Sequence, residues 1–295
     1  MTGAQKGFLL LTSHLGNSAR PVLSTAQFRT LASRMQNAEK PSEDRELAVS
    51  DMITMGYGKD MTVKILSLLA EEDLLQHYIS RGRRLDCVPI TRITPQYPLI
   101  LRQRLGQDGP GTLWAKGDLS ILNTPAVSLV GSRELRRENH AFAEAVGIHA
   151  ARQGLTLVSG NARGADRAAQ EACLRAGGKV ISIVADELWK HHSRENILYV
   201  SEEDYDSPFT AQRALSRNRC IHTLGRMVFV AQSDLQKGGT WDGTAKNLHF
   251  GWSPVACFRD GSEASRELEQ MGAYLIGVED LRDFGGLPIS EPTFL

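Results

Sequence analysis

The chain has 295 residues, with 34 Lys plus Arg balanced by 34 Asp plus Glu. It is long enough to bury a sizeable core in one large domain or two, but it has no overall positive field to draw it to nucleic acid or to a membrane, so any basic site must be local. Cys87, Cys173, Cys220 and Cys257 form no C-x-x-C pair, which excludes zinc-knuckle spacing and a disulfide framework. The apolar run Phe8 to Leu11 is too short for a signal peptide or a membrane span, so a cytoplasmic protein without metal or membrane association is expected.

From Phe8 to Cys87 apolar residues recur at helical spacing: Phe28, Leu31 and Met35, then Val63, Leu66 and Leu69, then Leu74, Leu75 and Tyr78. They predict a small all-α domain over residues 1–87, SAM-like or helix-hairpin-helix-like. Inside it, Gly56-Tyr57-Gly58 followed by Thr62 and Ile65 resembles a turn that offers N–H groups to a DNA phosphate. Gly-x-Gly is also a common way to end one helix and start the next, and that plainer reading is the preferred one. Over residues 88–125 the helical period is lost, and Pro89, Pro95, Pro98, Pro110 and Pro125 punctuate the chain. A connector is expected there, packed on the following domain through Tyr97, Leu99, Leu101 and Trp114.

From residue 126 strand-like and helix-like runs alternate. Strands are expected at Ala126 to Val130, Leu155 to Val158 and Lys179 to Val184, with helices at about Glu138 to Gln153 and Ala165 to Ala176 between them. A less regular piece through His191, His192 and Ile197 to Glu202 follows, its histidines expected to be solvated. One helix is then expected from about Pro208 to Leu224, a strand from Met227 to Ala231, a helix from Thr240 to Phe250, a strand from Val255 to Phe258 and a last helix from about Glu263 to Met271. Such alternation implies right-handed crossovers and a Rossmann-like parallel sheet over residues 126–295, so the fold class is α/β with a small N-terminal helical domain.

Two stretches at strand-to-helix junctions carry the chemistry. Gly131-Ser132-Arg133 and Ser159-Gly160-Asn161-Ala162-Arg163-Gly164-Ala165-Asp166 each combine a glycine turn with an arginine where the first N–H groups of a helix would face an anion. Asp166 would repel a phosphate, so it is expected to cap its helix or to orient Arg163. Arg213, Arg217, Arg219 and Arg226 lie in a stretch without acidic residues. On one helix Arg213 and Arg217 share a face, whereas Arg217 and Arg219 point about 200° apart. The loop Lys237-Gly238-Gly239-Thr240 also follows a strand and precedes a helix, but it lacks P-loop spacing, so ATP hydrolysis is not expected.

Gly131-Ser132-Arg133, Ser159 to Asp166, Arg217-Asn218-Arg219-Cys220-Ile221 and the Gly238-Gly239-Thr240 loop stand in the order found in the DNA processing protein A (DprA/Smf) family. Tyr97-Pro98-Leu99 and Leu113-Trp114-Ala115-Lys116-Gly117 resemble that family's approach to the domain, and the likeness runs from about Pro95 to Ile276. It implies an extended Rossmann-like parallel sheet domain that binds single-stranded DNA in a basic pocket, forms a homodimer and assists loading of the RecA recombinase during DNA uptake, without catalysis or cofactor. By position the pocket is implied to include Gly131, Ser132, Arg133, Ser159, Gly160, Arg163, Gly164, Asp166, Arg217, Asn218, Arg219, Gly238, Gly239 and Thr240. Lys237 is added from its place in the loop. The chain departs from the family at Gln170, where a histidine is usual, and in the Gly238–Ala245 loop. Nor does enough chain follow Ile276 for the winged-helix domain that many members carry.

Two function classes follow. The first is a non-catalytic single-strand DNA-binding module, whose arginines form a track of charge, with Trp241 as a base-stacking or a core residue. The second is a nucleotide sensor or a nucleoside-monophosphate phosphoribohydrolase. The glutamate that enzyme class uses near the sugar is replaced here by Asn247, leaving Glu202 or Asp242 as substitutes.

Overall fold

The computed structural model describes residues 1–37 and 46–287. In chain order its elements are α1 (Gly3–Thr12), α2 (Thr25–Asn37), α3 (Val49–Thr54), α4 (Lys59–Leu69), α5 (Glu72–Arg84), β1 (Cys87–Thr91), α6 (Leu99–Leu105), β2 (Thr112–Gly117), β3 (Ala126–Val130), α7 (Arg137–Arg152), β4 (Thr156–Ser159), α8 (Ala165–Arg175), β5 (Val180–Ile183), β6 (Ile197–Ser201), α9 (Ala211–Ser216), α10 (Asn218–Leu224), β7 (Val228–Val230), α11 (Gly238–Phe250), β8 (Val255–Phe258), α12 (Glu263–Gln270) and β9 (Tyr274–Ile276). The nine strands form one sheet in the order β1-β2-β6-β5-β4-β3-β7-β8-β9. Pairing is parallel from β6 to β9 across the sheet and antiparallel where β2 meets β1 and β6.

Every residue of β3, β4, β5 and β6 is buried, as expected of parallel strands covered on both faces. Phe142 and Val146 of α7 and Ala165, Ala169 and Cys173 of α8 cover one face. The two helices pack so closely that a Cβ at Gly147 would run into the carbonyl of Ala169. Leu101 and Leu105 of α6, Ile221 and Leu224 of α10 and Leu268 of α12 cover the other.

The first five helices enclose their own cluster of Leu11, Leu23, Leu31, Met52, Ile65 and Leu68. They also send Leu9, Leu10, Leu75, Tyr78 and Ile79 into the sheet core. There Tyr78 stacks on Tyr205 (4.5 Å between ring centroids), and Trp114 meets both rings edge-on at 5.6 and 4.9 Å. The Tyr78 hydroxyl donates to Asp206 and Ser13 donates to Asp204, each at 2.6 Å.

Four expectations are corrected. The stretch read as a connector supplies β1 and β2, which extend the sheet: its prolines sit at Pro89, in edge strand β1, and otherwise outside the strands. Tyr97, Leu101 and Trp114 are buried as expected, but Leu99 at the start of α6 is exposed, as are Met35, Val63 and Leu74 on the helical module. The piece around Ile197 is an interior strand, β6, between β2 and β5, and His191 just before it is not solvated: it bonds Asp186 at 2.9 Å and stacks on Tyr199. The single helix expected from Pro208 breaks into α9 and α10 at Arg217, whose side chain is drawn inward.

Candidate nucleic-acid interface

The sheet's order reverses around β3, which pairs with β4 on one side and β7 on the other, so the crevice at the carboxyl ends of these strands is where ligands of open α/β sheets collect. Both arginine turns end there, and they touch. Ala165 N–H donates to the Ser132 carbonyl at 3.1 Å, and Ser132 N–H donates to the Gln232 carbonyl beyond β7 at 3.0 Å. Gly164 has φ +85°, and a Cβ there would lie 2.5 Å from the Ser132 oxygen and 2.6 Å from the Arg133 oxygen. Glycine is required by both backbone conformation and contact. A Cβ at Gly131 would likewise meet the Ala165 and Ala231 methyls.

Arg133 and Arg163 both project as exposed side chains from these joined turns. Arg163 pairs with Glu134 at 3.3 Å, with both side chains more than 70% exposed, an ion pair weak enough to be exchanged for a phosphate.

Behind them lies a buried cluster. Asp166 accepts the Ala162 N–H at 3.1 Å, so the protein's own carboxylate occupies the mouth of α8 where an anion was expected. Asp166 does not orient Arg163; its charged neighbour is Arg217. Burial pushes the Asp166 carboxyl up and the Arg217 guanidinium down, and each group's charge opposes the other's shift. Arg217, 8% exposed, donates to the carbonyls of Gly160 and Ile183 and so ties the ends of β4 and β5 together. A Cβ at Gly160 would lie 2.6 Å from the Arg217 guanidinium and 2.7 Å from the Asp166 carboxylate. Arg217 is therefore a support under the second turn and not an exposed contact. Ser159, the last residue of β4, is buried beside it.

Arg219 points away, as its spacing implied, and binds Glu202 at 3.1 Å and the Asp108 carbonyl at 2.9 Å. Asn218 donates to the Gly239 carbonyl at 3.0 Å and holds the glycine loop against α10. Gly238 takes φ +78° as the chain enters α11, with Thr240 half-buried in the first turn and Lys237 exposed. Lys237 lines a hollow of about 660 Å³ with Arg136, Gln232, Ser233 and Ser262. Trp241 packs against the core. Arg213 bonds the Pro208 carbonyl and does not share a buried face with Arg217.

Sequence reasoning missed the brace under the first turn. Arg136 pairs with Asp260, whose side chain is 2% exposed, and Asn139 donates to both Asp260 (2.8 Å) and the Ala231 carbonyl (2.7 Å). A buried asparagine on an otherwise apolar helix face was the available signal.

Neither substitute carboxylate is free: Glu202 is held by Arg219 and Asp242 by Lys246 at 2.8 Å. His222 is fully buried, and burial holds its ring neutral with a pKa of about 3. Among the described residues there is no group of three or more His, Cys, Asp or Glu able to hold a metal ion, and no helix long and apolar enough to cross a membrane.

Residues 89–284 match the family model for DNA recombination-mediator protein A. The chain is 33% identical over 183 residues to DNA processing protein DprA of Streptococcus pneumoniae, covering 59% of this chain and 60% of that protein. It is 32% identical over 146 residues to protein Smf of Escherichia coli, covering 44% and 38%. The chain thus spans less than two thirds of these curated relatives. Among solved structures, Streptococcus pneumoniae DprA superposes with a TM-score of 0.72 at 24% identity over 95% of this chain and 97% of that one. Helicobacter pylori DNA processing protein A, solved for its single-stranded DNA binding mode, superposes with a TM-score of 0.55 at 23% identity over 67% and 93%. These two likenesses show the fold.

Proposed function

Because the chain belongs to the DNA recombination-mediator protein A family, we propose that it binds single-stranded DNA at the carboxyl edge of its sheet, with Arg133 and Arg163 as phosphate contacts. It acts in DNA uptake and recombination, protecting the strand and assisting RecA loading as a cytoplasmic homodimer. Gly131, Ser132, Ser159, Gly160, Gly164 and Asp166 shape the two turns, Arg217 supports them from beneath, and Asn218 with Lys237-Gly238-Gly239-Thr240 forms the flank.

One observation carries this reading: the Ala165 to Ser132 hydrogen bond joins two arginine-bearing turns, 29 residues apart at the Arg163–Glu134 pair, into a single exposed basic surface. Exposed arginines on a rigid support suit a polyanion held through its backbone. No catalysis is proposed, because the carboxylates that would serve at a sugar are engaged in ion pairs.

The test is fluorescence anisotropy with single-stranded DNA, duplex DNA and a mononucleotide at two salt concentrations. The single strand is expected to bind tightest and to weaken with salt. Release of free base from a nucleoside monophosphate, abolished by Asp242→Ala or Glu202→Ala, would instead establish the phosphoribohydrolase reading.

A further inference from the structure

Apart from the strand-end crevice, a groove of about 1500 Å³ lies between the N-terminal helices and the sheet. Arg29 and Arg34 of α2 line it together with Arg92, Arg102 and Arg219. Arg29 is paired with Asp108, and Arg219 with the buried Glu202. Arg34, Arg92 and Arg102 have no carboxylate partner among the described residues. Arg34 donates to the Gly56 carbonyl at 3.0 Å over the Tyr57 ring, Arg92 donates to the Gly106 carbonyl, and Arg102 donates to the Arg92 carbonyl.

A second observation points to a ligand. Arg29 Nε, Thr112 Oγ1 and Trp114 Nε1 all belong to groove-lining residues, are buried and have no hydrogen-bond partner, and Trp114 as a whole is 1% exposed. Buried donors left without acceptors are costly unless something supplies them. Phe28, Ile93 and Pro110 add apolar surface on which a base can lie.

The acidic residues of the groove weaken this basic character less than their number implies. Asp108 and Glu202 are neutralised by arginines, Asp204 is bonded to Ser13, and burial pushes the Glu203 and Asp204 carboxyls up towards their neutral forms.

Position and size favour a chain segment over a free nucleotide. Small-molecule pockets occupy about 300–1,000 Å³, less than this groove. Glu202, Glu203 and Asp204, which line it, follow directly on β6, two strands from β4 along the same carboxyl edge. That separation is about 10 Å, which roughly two or three nucleotides bridge.

We propose that the inter-module groove is a second site for single-stranded DNA, continuing the path that starts at Arg133 and Arg163, so that helical module and sheet hold one strand together. This rests on the strand-end crevice being the first DNA site.

The test uses the full chain with oligothymidylates of about six and about twenty nucleotides, lengths that bracket common single-strand footprints. Arg34→Gln combined with Arg92→Gln is expected to weaken the longer strand about tenfold and to lower its salt slope by about 1.4, two phosphates at about 0.7 each. The shorter strand, satisfied by the crevice, keeps its affinity. An unchanged affinity and slope for the longer strand, while Arg133→Ala with Arg163→Ala abolishes binding, overturns the groove and leaves the crevice standing; indifference to both pairs overturns both. Photocrosslinking of the unaltered protein to a long strand carrying 5-iodouracil decides the matter without substitutions. Crosslinks in peptides containing Phe28 or Ile93 support the groove, and crosslinks confined to the two turns refute it.

Discussion

Arg217→Ala separates support from contact. The guanidinium donates to the Gly160 and Ile183 carbonyls and faces the buried Asp166. Hydrogen bonds to charged groups contribute about 1.5–3 kcal/mol each, and removing one partner of a buried charge pair costs about 3–5 kcal/mol because the other charge is stranded. These are overlapping accounts of one loss, so we expect a destabilisation of about 3–5 kcal/mol. In a chain of this size each kcal/mol moves the melting temperature by about 2–4 °C, so thermal unfolding should shift down by roughly 10 °C. Urea titration followed by tryptophan fluorescence measures the same loss independently. Asp166→Asn in the Arg217→Ala background should recover part of it by removing the unpaired carboxylate. At temperatures where the variant is folded, the salt slope for single-stranded DNA should be unchanged. A variant as stable as the parent whose slope falls by about 0.7 would mean that Arg217 meets phosphate directly and that its inward placement is wrong.

Three further outcomes follow from the same geometry. Arg133→Ala and Arg163→Ala should each leave stability within about 0.5 kcal/mol and lower the salt slope by about 0.7, with Arg→Lys recovering part of the affinity and Lys59→Ala serving as a neutral control. Gly164→Ala forces a side chain into a conformation costing about 1–3 kcal/mol and pushes on the Ser132 and Arg133 carbonyls; both the melting temperature and strand affinity should fall, and an unperturbed variant would contradict the contact between the turns. Burial keeps His222 neutral in the fold, with a pKa of about 3 against the ordinary histidine value of 6.5. Protonation therefore favours the unfolded chain, and the His222 contribution is full above about pH 6.5, falling by about 1.4 kcal/mol per pH unit below it until pH nears 3. Comparing stability at pH 7 and pH 4.5 in the parent and in His222→Leu isolates this effect; identical pH profiles would refute it.

The parallel core was legible because its strands are uniform apolar runs ended by glycine turns, as in Ala126 to Val130 and Leu157 to Gly160. Fully buried strands leave little else for such runs to be. The antiparallel extension was not legible: Cys87 to Thr91 contains a proline and lies in a segment whose glycines and prolines read as loop, and only pairing with Thr112 to Lys116 gives it a place. That Arg133 and Arg163 stand on exposed turns at strand ends was legible from local turn chemistry, which a short stretch carries. The inward turn of Arg217 was not legible because burial of an arginine depends on two carbonyls 57 and 34 residues away. The groove arginines were invisible for a related reason. Arg29, Arg34 and Arg92 are ordinary surface arginines until the helical module settles against the sheet through Tyr78, Trp114 and Tyr205.

The position of β3 between β4 and β7 also sets when this surface comes into being. The first arginine turn is fastened to the end of β7 by Gln232, which lies 96 residues further along the chain than the Arg136 whose N–H its side chain accepts. A ribosome adding about 5–20 residues per second takes roughly 5–20 s to cover that distance. For most of that interval the nascent chain carries Arg133 and Arg163 on a half-sheet whose central strand has one neighbour, with the apolar edge that will receive β7 uncovered. The basic surface is thus a late product of synthesis, and an emerging chain cannot capture nucleic acid with a finished site before the strand that completes its sheet has been made.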